Sequence, residues 1–368
     1  MTGHIDTATL RDWLEQDRPV TVLDVRTDED RGQWAIPGIV HLNAYDALRK
    51  GEPGLLQDAI LPPGPPVVTV CNADRMSEKA ADVLTARRFD VLSLVGGMKA
   101  WSLAWNSADV PLTDAATRVS QIRRAGKGCL SYLIVSHGEA AVIDPSLGSE
   151  VYTNLAKQQV AEIRCVVDTH IHADHLSRAR QQADEHDAQL VSPAQNRARF
   201  PFTAMADGDA FRIGAATLTA MHTPGHTDES TAFLLNGDVV FSGDRLFVNS
   251  VGRPDLHAGV DGARARAGAL FHSLNSLRAL PPQLLVLPAR TGQPVAFDGR
   301  AIHGRIGDID QWLSQWLVSE DSFIEPVTCR IPATPPNFSA IVELNEAGEL
   351  PEGDPTDLEA GANRCAMS

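Results

Sequence analysis

Six consecutive residues, His170-Ile171-His172-Ala173-Asp174-His175, put three imidazoles and a carboxylate into one short run. Imidazole and carboxylate are the donors that suit zinc, iron and manganese. Two later segments offer the same chemistry, His222-Thr223-Pro224-Gly225-His226 and Ser242-Gly243-Asp244. A lone His-x-His is an ordinary surface pair about as often as a ligand pair. Three such segments in one chain point to a catalytic metal.

Each segment follows residues that read as a strand. Cys165 to Asp168 precedes the first, a strand ending near Met221 the second, and Val239 to Phe241 the third. Ligands just past strand ends sit on loops held by a rigid scaffold, so one mouth of a sheet sandwich collects all three. The neighbouring elements agree. Cys129 to Val135 and Ala140 to Asp144 read as paired strands around His137-Gly138, and a helix follows from Val151 to Lys157. Thr231 to Leu235 and Val239 to Phe241 flank Asn236-Gly237, a strong hairpin signal. Ala263 to Leu280 is helical by composition, and Leu284 to Leu287 is a last buried strand.

The first hundred residues are organised differently. The strands Val20 to Val25, Pro66 to Val70 and Val91 to Val95 alternate with helical segments, one of them running from a Ser77 cap to about Arg88. That alternation implies a parallel sheet. Asn106 to Thr117 is polar and reads as a connector. The stretch after Pro351, acidic and Gly-rich, reads as a mobile tail.

With 368 residues the chain is long enough for two domains. A formal charge of -15 argues against a nucleic-acid partner, and an anionic substrate would need locally placed Arg or Lys. No apolar run approaches a membrane span, and no secretory signal is expected at the N-terminus. Five scattered cysteines, Cys71, Cys129, Cys165, Cys329 and Cys365, fit free thiols in a reducing cytoplasm.

Thr169-His170-Ile171-His172-Ala173-Asp174-His175, Thr223-Pro224-Gly225-His226-Thr227 and Ser242-Gly243-Asp244 resemble the signature motifs of the metallo-β-lactamase superfamily. The resemblance covers roughly residues 118 to 345 and implies an αββα sandwich with the metal at one edge. In two-metal members it would put His170, His172 and His226 on one ion. Asp174, His175 and a late histidine would hold the other, with Asp244 bridging. The late histidine is expected within Leu287-Pro288-Ala289-Arg290-Thr291-Gly292, where Arg290 stands instead. Arginine stays protonated and has no lone pair for a metal, and its charge repels a second divalent ion.

A single ion is therefore expected. The single-metal members that this chain resembles are the persulfide dioxygenases, and Val251-Gly252-Arg253-Pro254-Asp255-Leu256 resembles their Gly-Arg-x-Asp segment. The resemblance implies Fe(II), with zinc as the alternative, on His170, His226 and Asp244, the facial triad of non-haem oxygenases. His172, Asp174 and His175 would surround it and orient the ligands. Arg253 would take part in catalysis by holding a substrate carboxylate, or would fix its loop by a salt bridge, and Arg290 would contact substrate. Arg245 departs from the small residue expected after Gly-Asp. The implied reaction oxidises a low-molecular-weight thiol persulfide, glutathione persulfide first among them, with O2 to sulfite and thiol.

Asp24-Val25-Arg26, Ile36-Pro37-Gly38, Cys71 and Gly96-Gly97-Met98-Lys99-Ala100-Trp101 resemble a rhodanese domain over about residues 4 to 112. Such domains carry sulfur on a cysteine persulfide, which makes Cys71 a candidate catalytic thiol. Asp74 stands where glycine is usual in the loop, and left-handed backbone is tolerated there by Asp. Met76 replaces a frequent arginine. The expected layout is a rhodanese-like domain over 1–112, a linker over 113–117, a metallo-β-lactamase-fold domain over 118–350 and a tail over 351–368. A metal-dependent hydrolase of thioesters or lactones is the alternative activity, and a non-catalytic sulfur carrier a further one. A homodimer is compatible with either.

Overall fold

The computed structural model describes residues 3–256, 258–292, 294–331, 334–361, 365 and 367. The first unit is a five-stranded parallel sheet built from β1 (Gly3–Ile5), β2 (Thr21–Asp24), β3 (Val40–His41), β4 (Val67–Val70) and β5 (Val91–Leu94), in the order β1-β5-β4-β2-β3. Val67 packs on one side of the sheet with Leu23 and Ala80, and Val68 and Val70 on the other with Leu10 and Leu94. With helices on both faces, the strands read as continuous apolar runs. Ser77 does not cap the helix Arg75–Ala86. It lies inside the first turn, where its hydroxyl donates to the Asp74 carbonyl and accepts from the Cys71 thiol.

The second unit holds two sheets. One runs β12-β11-β10-β9-β8-β7-β6, comprising β6 (Asn106–Asp109), β7 (Thr117–Arg124), β8 (Cys129–Ser136), β9 (Glu139–Ile143), β10 (Glu162–Val167), β11 (Gln189–Pro193) and β12 (Thr203–Met205). The other runs in sequence order through β13 (Ala210–Ile213), β14 (Ala216–His222), β15 (Thr231–Leu235), β16 (Val239–Gly243), β17 (Leu285–Pro288) and β18 (Gly304–Arg305). Tyr132, Ile134, Val167, Phe233, Phe241 and Leu287 meet in the core between the sheets. The helices Ser149–Gln158 and Ala179–His186 cover the first sheet, and Gly259–Arg278, Ile306–Trp316 and Glu320–Cys329 cover the second. This is the αββα sandwich. Polar/apolar alternation is weak after Thr231 because β15 and β16 are buried on both faces: Phe233 and Phe241 face the other sheet while Ala232 and Val240 face helices.

Two further expectations are corrected. Asn106 to Asp109, read as part of a connector, is a strand paired antiparallel to β7, so the second sheet begins before residue 113. The short polar strand was hidden because only Asn106 and Ala108 turn inward. The acidic stretch after Pro351 is docked, not loose. Glu359 is fully buried, takes Arg124 and Arg178 as ion-pair partners and accepts from the Leu176 amide. Residues 362–364, 366 and 368 of the expected tail lie outside the described residues. The two units pack closely at Gly126, whose amide donates to the Ala104 carbonyl. A Cβ there would fall 1.7 Å from the Trp101 carbonyl oxygen, so only glycine fits. Among the described residues no helix is long and apolar enough to cross a membrane.

Candidate metal centre

Four strand ends converge on one buried cluster. β9 ends before Asp144, β10 leads to His170, β14 runs into the turn holding His226, and β16 ends at Gly243 beside Asp244. The turn before His226 demands glycine, since Gly225 has φ of 135° and a Cβ would meet Leu270 at 2.4 Å. Ligand atoms of His170, His226 and Asp244 all lie within 4.8 Å of one another. Asp244 Oδ2 is 3.8 Å from the Nε2 atoms of both histidines.

Neighbours set the tautomer of each histidine. His226 Nδ1 donates to the Arg253 carbonyl at 2.8 Å, which leaves the lone pair on Nε2. Thr169 Oγ1 gives its single proton to Asp144 at 2.9 Å and therefore accepts from His170 Nδ1, also at 2.9 Å. Both Nε2 atoms thus point lone pairs inward. Burial lowers the pKa of both rings, keeping them neutral. His170 Nε2, His226 Nε2 and Asp244 Oδ1 are buried with no hydrogen-bond partner. Orphaned buried polar atoms are costly, and two such imidazole nitrogens beside a buried carboxylate fit a metal ion. Two imidazoles and one carboxylate suit iron or zinc.

A second group, Asp144, Asp168 and His172, also has metal-like spacing. It reads better as an ion cluster. His172 Nε2 lies 3.3 Å from Asp144 and 3.6 Å from Asp168. Burial opposes its charge, but the two carboxylates outweigh burial and raise its pKa to about 10. Through Asp144 and Thr169, His172 braces His170.

Arg290 lies where a second ion would need donors. Its Nε donates to Asp244 Oδ2 at 2.5 Å, Nη1 pairs with Asp174, Nη2 donates to His175 Nδ1 at 3.1 Å, and Nη1 also reaches Cys129 Sγ at 3.5 Å. Burial disfavours both charges, yet the pairing holds Asp174 well below the carboxylate range and Arg290 well above the usual guanidinium value. The expectation that Arg290 contacts substrate is corrected: its donors are spent on the protein and its side chain is fully buried. Arg253 was expected either to hold a substrate carboxylate or to fix its loop. Its guanidinium clasps Asp255 with two bonds of 2.7 Å, so it takes the loop-fixing role, while its carbonyl orients His226.

Sequence reasoning passed over Asp144 and Thr169, and noted Arg245 only as a departure. Asp144 was visible as a carboxylate closing an apolar strand. Arg245 is fully buried, its guanidinium lies beside Gly243, and none of its nitrogens has a hydrogen-bond partner among the described residues. Burial lowers its pKa to about 10 against the pull of Asp144, Asp244 and Glu229.

Cys71 follows β4 and lines a pocket of about 370 Å³ with Tyr45, Arg49, Arg75 and Met76. Its thiol donates within its own loop, to the Ala73 carbonyl at 3.1 Å and Ser77 Oγ at 3.4 Å. Asp74 is not left-handed: with φ of -109° and ψ of -37° it is helical. Its carboxylate accepts from the Gly96 amide.

The comparisons agree with this architecture. A Rhodanese-like domain model matches residues 6–104, and a Metallo-beta-lactamase superfamily model matches residues 124–290. A hydroxyacylglutathione hydrolase of Francisella philomiragia is 31% identical over 160 residues, 43% of this chain and 61% of that protein. The chain therefore spans under two thirds of that relative. A metallo-beta-lactamase structure from Staphylococcus aureus is 28% identical with a TM-score of 0.57, covering 63% of this chain and 73% of that one. The structure of ETHE1 from Myxococcus xanthus is 27% identical with a TM-score of 0.53, covering 66% of this chain and 98% of that one.

Proposed function

Because the chain joins a rhodanese-like domain to a domain of the metallo-β-lactamase superfamily, we propose that it oxidises a small thiol persulfide with O2 at a single Fe(II), and that water then releases sulfite and the free thiol. The observation that carries this reading is Arg290, a resident cation on Asp174, His175 and Asp244. It takes up the donors a second ion would use and leaves one ligand set, His170, His226 and Asp244. Likeness to ETHE1 over nearly that whole chain supports it as well.

Iron, when bound, supplies the redox chemistry with O2. The chain's own residues do the rest. His170 and His226 present neutral lone pairs because Thr169 and the Arg253 carbonyl hold their Nδ1 protons. Asp244 is oriented by Arg290. Burial of all three ligands keeps bulk water off the site. Sulfur transfer at Cys71 is part of the proposal, in a pocket flanked by Arg49 and Arg75.

A metal-dependent hydrolase is the second reading, favoured by the names of the curated relatives. It would use a metal-bound hydroxide. Metal content of anaerobically purified protein, with O2 uptake on glutathione persulfide, separates the two. One iron per chain with rapid uptake is the expected result. Two zinc ions with thioester hydrolysis would sink the dioxygenase.

A further inference from the structure

The chain carries -15 in formal charge, so an anionic substrate needs a local positive site. Arg253 and Arg290 cannot supply it, being buried against Asp255 and against Asp174 with Asp244. A cavity of about 300 Å³ between the two units can. The first unit contributes Arg31 and Trp34, and the second contributes Lys127, Thr291 and Val295. Among its described lining residues there is no Asp or Glu.

Both cations are available to an anion. The Arg31 side chain makes no hydrogen bond or ion pair among the described residues, and its Nε is buried without a partner. Lys127 Nζ donates to the Glu359 backbone carbonyl at 2.6 Å, a neutral acceptor, and its charge also acts on Asp174. Glu359 spends its carboxylate on Arg124 and Arg178.

The cavity also adjoins the metal cluster. The Thr291 amide donates to the Gly128 carbonyl at 3.0 Å. The next residue inward on each strand gives the Cys129–Arg290 bridge, and Arg290 touches Asp244. One layer of residues separates the cationic cavity from the candidate ligands. Its volume is at the small end for ligand sites, which run from roughly 300 to 1,000 Å³. That suits a compact ligand rather than a nucleotide-sized thiol carrier.

We propose that this interdomain cavity is the anion subsite of the metal centre, in which Arg31 and Lys127 hold the carboxylate end of a small anionic thiol. The rhodanese-like domain would then supply part of the other domain's substrate site. The inference rests on the thiol-persulfide reading above.

The test is calorimetric binding of glutathione to the metal-loaded full chain, with 2-mercaptoethanol as the uncharged comparison. Arg31→Ala should weaken glutathione binding about tenfold, a change of about 1.4 kcal/mol, with 2-mercaptoethanol unaffected. Arg31→Lys should recover part of the loss, and added salt should weaken the parent more than Arg31→Ala. In turnover, KM for glutathione persulfide should rise about as much, with kcat moving far less. Equal glutathione affinity in parent and Arg31→Ala overturns the subsite. Arg31-dependent binding without any O2 uptake keeps the subsite and removes the dioxygenase. Normal O2 uptake with no dependence on Arg31 does the reverse.

Discussion

The metal cluster and the Cys71 loop both sit at strand ends, yet they are finished differently. At the cluster, Nε2 of His170 and of His226 and Oδ1 of Asp244 are left without partners, while the other side of each ligand is held, by Thr169, by the Arg253 carbonyl and by Arg290. At Cys71 the local groups satisfy one another: the thiol bonds to Ala73 and Ser77, and Asp74 is taken by Gly96. A site whose unpaired atoms converge is incomplete without something to fill it. A loop that closes on itself can fold without a ligand, and its chemistry then depends on the thiol leaving those bonds for the pocket beside it.

The strongest way to break this contrast is to remove a converging atom. Asp244→Ala or His226→Ala should lower metal affinity by more than about a hundredfold, beyond what supporting residues give. Metal content after dialysis reads it, and a retained full complement would show that the ligands lie elsewhere. Next comes the resident cation. Arg290→Met leaves Asp174 and Asp244 facing each other in the interior and should cost about 3–5 kcal/mol in urea unfolding of the metal-free protein. Arg290→His removes the cation and offers a donor, so metal content should rise from one towards two ions per chain.

Acid sensitivity sharpens the picture around Lys127. Burial raises the pKa of Glu359, but Arg124 and Arg178 outweigh it and hold the folded value below the ordinary glutamate value. A depressed carboxyl contributes stability above its unfolded pKa and loses it as pH falls through the folded value. Release of the segment around Glu359, followed by hydrogen exchange, should therefore begin only below the ordinary glutamate range, and Glu359→Gln should expose it already at neutral pH. The smallest effect on the fold belongs to Cys71. Cys71→Ser should change stability by less than about 1 kcal/mol and leave metal content intact, while abolishing sulfur transfer from thiosulfate to cyanide. An inactive parent protein would count against catalysis at Cys71.

Much of this was legible in residue order. Asn236-Gly237 announced its hairpin because both positions need positive φ, and they have 51° and 81°. The apolar runs Val67 to Val70 and Leu285 to Leu287 announced strands buried on both faces. His170, His226 and Asp244 were nameable because each motif is local, a turn bound to the end of one strand. Arg290 was visible as a cation where a donor was expected.

What remained hidden depends on residues far apart in sequence. Asp109 shows its strand only when β7 lies beside it. Glu359 is an acidic tail residue until Arg124 and Arg178, 235 and 181 positions away, close on it. Whether Arg253 and Arg290 serve substrate or protein was undecidable from their type, since a guanidinium binds any carboxylate that packing supplies. The sequence by itself determined which groups could bind metal or sulfur, because that chemistry belongs to the side chain. The tertiary structure alone decided which of them are spent inside the protein and which are left over, because that depends on what packing brings within hydrogen-bond reach.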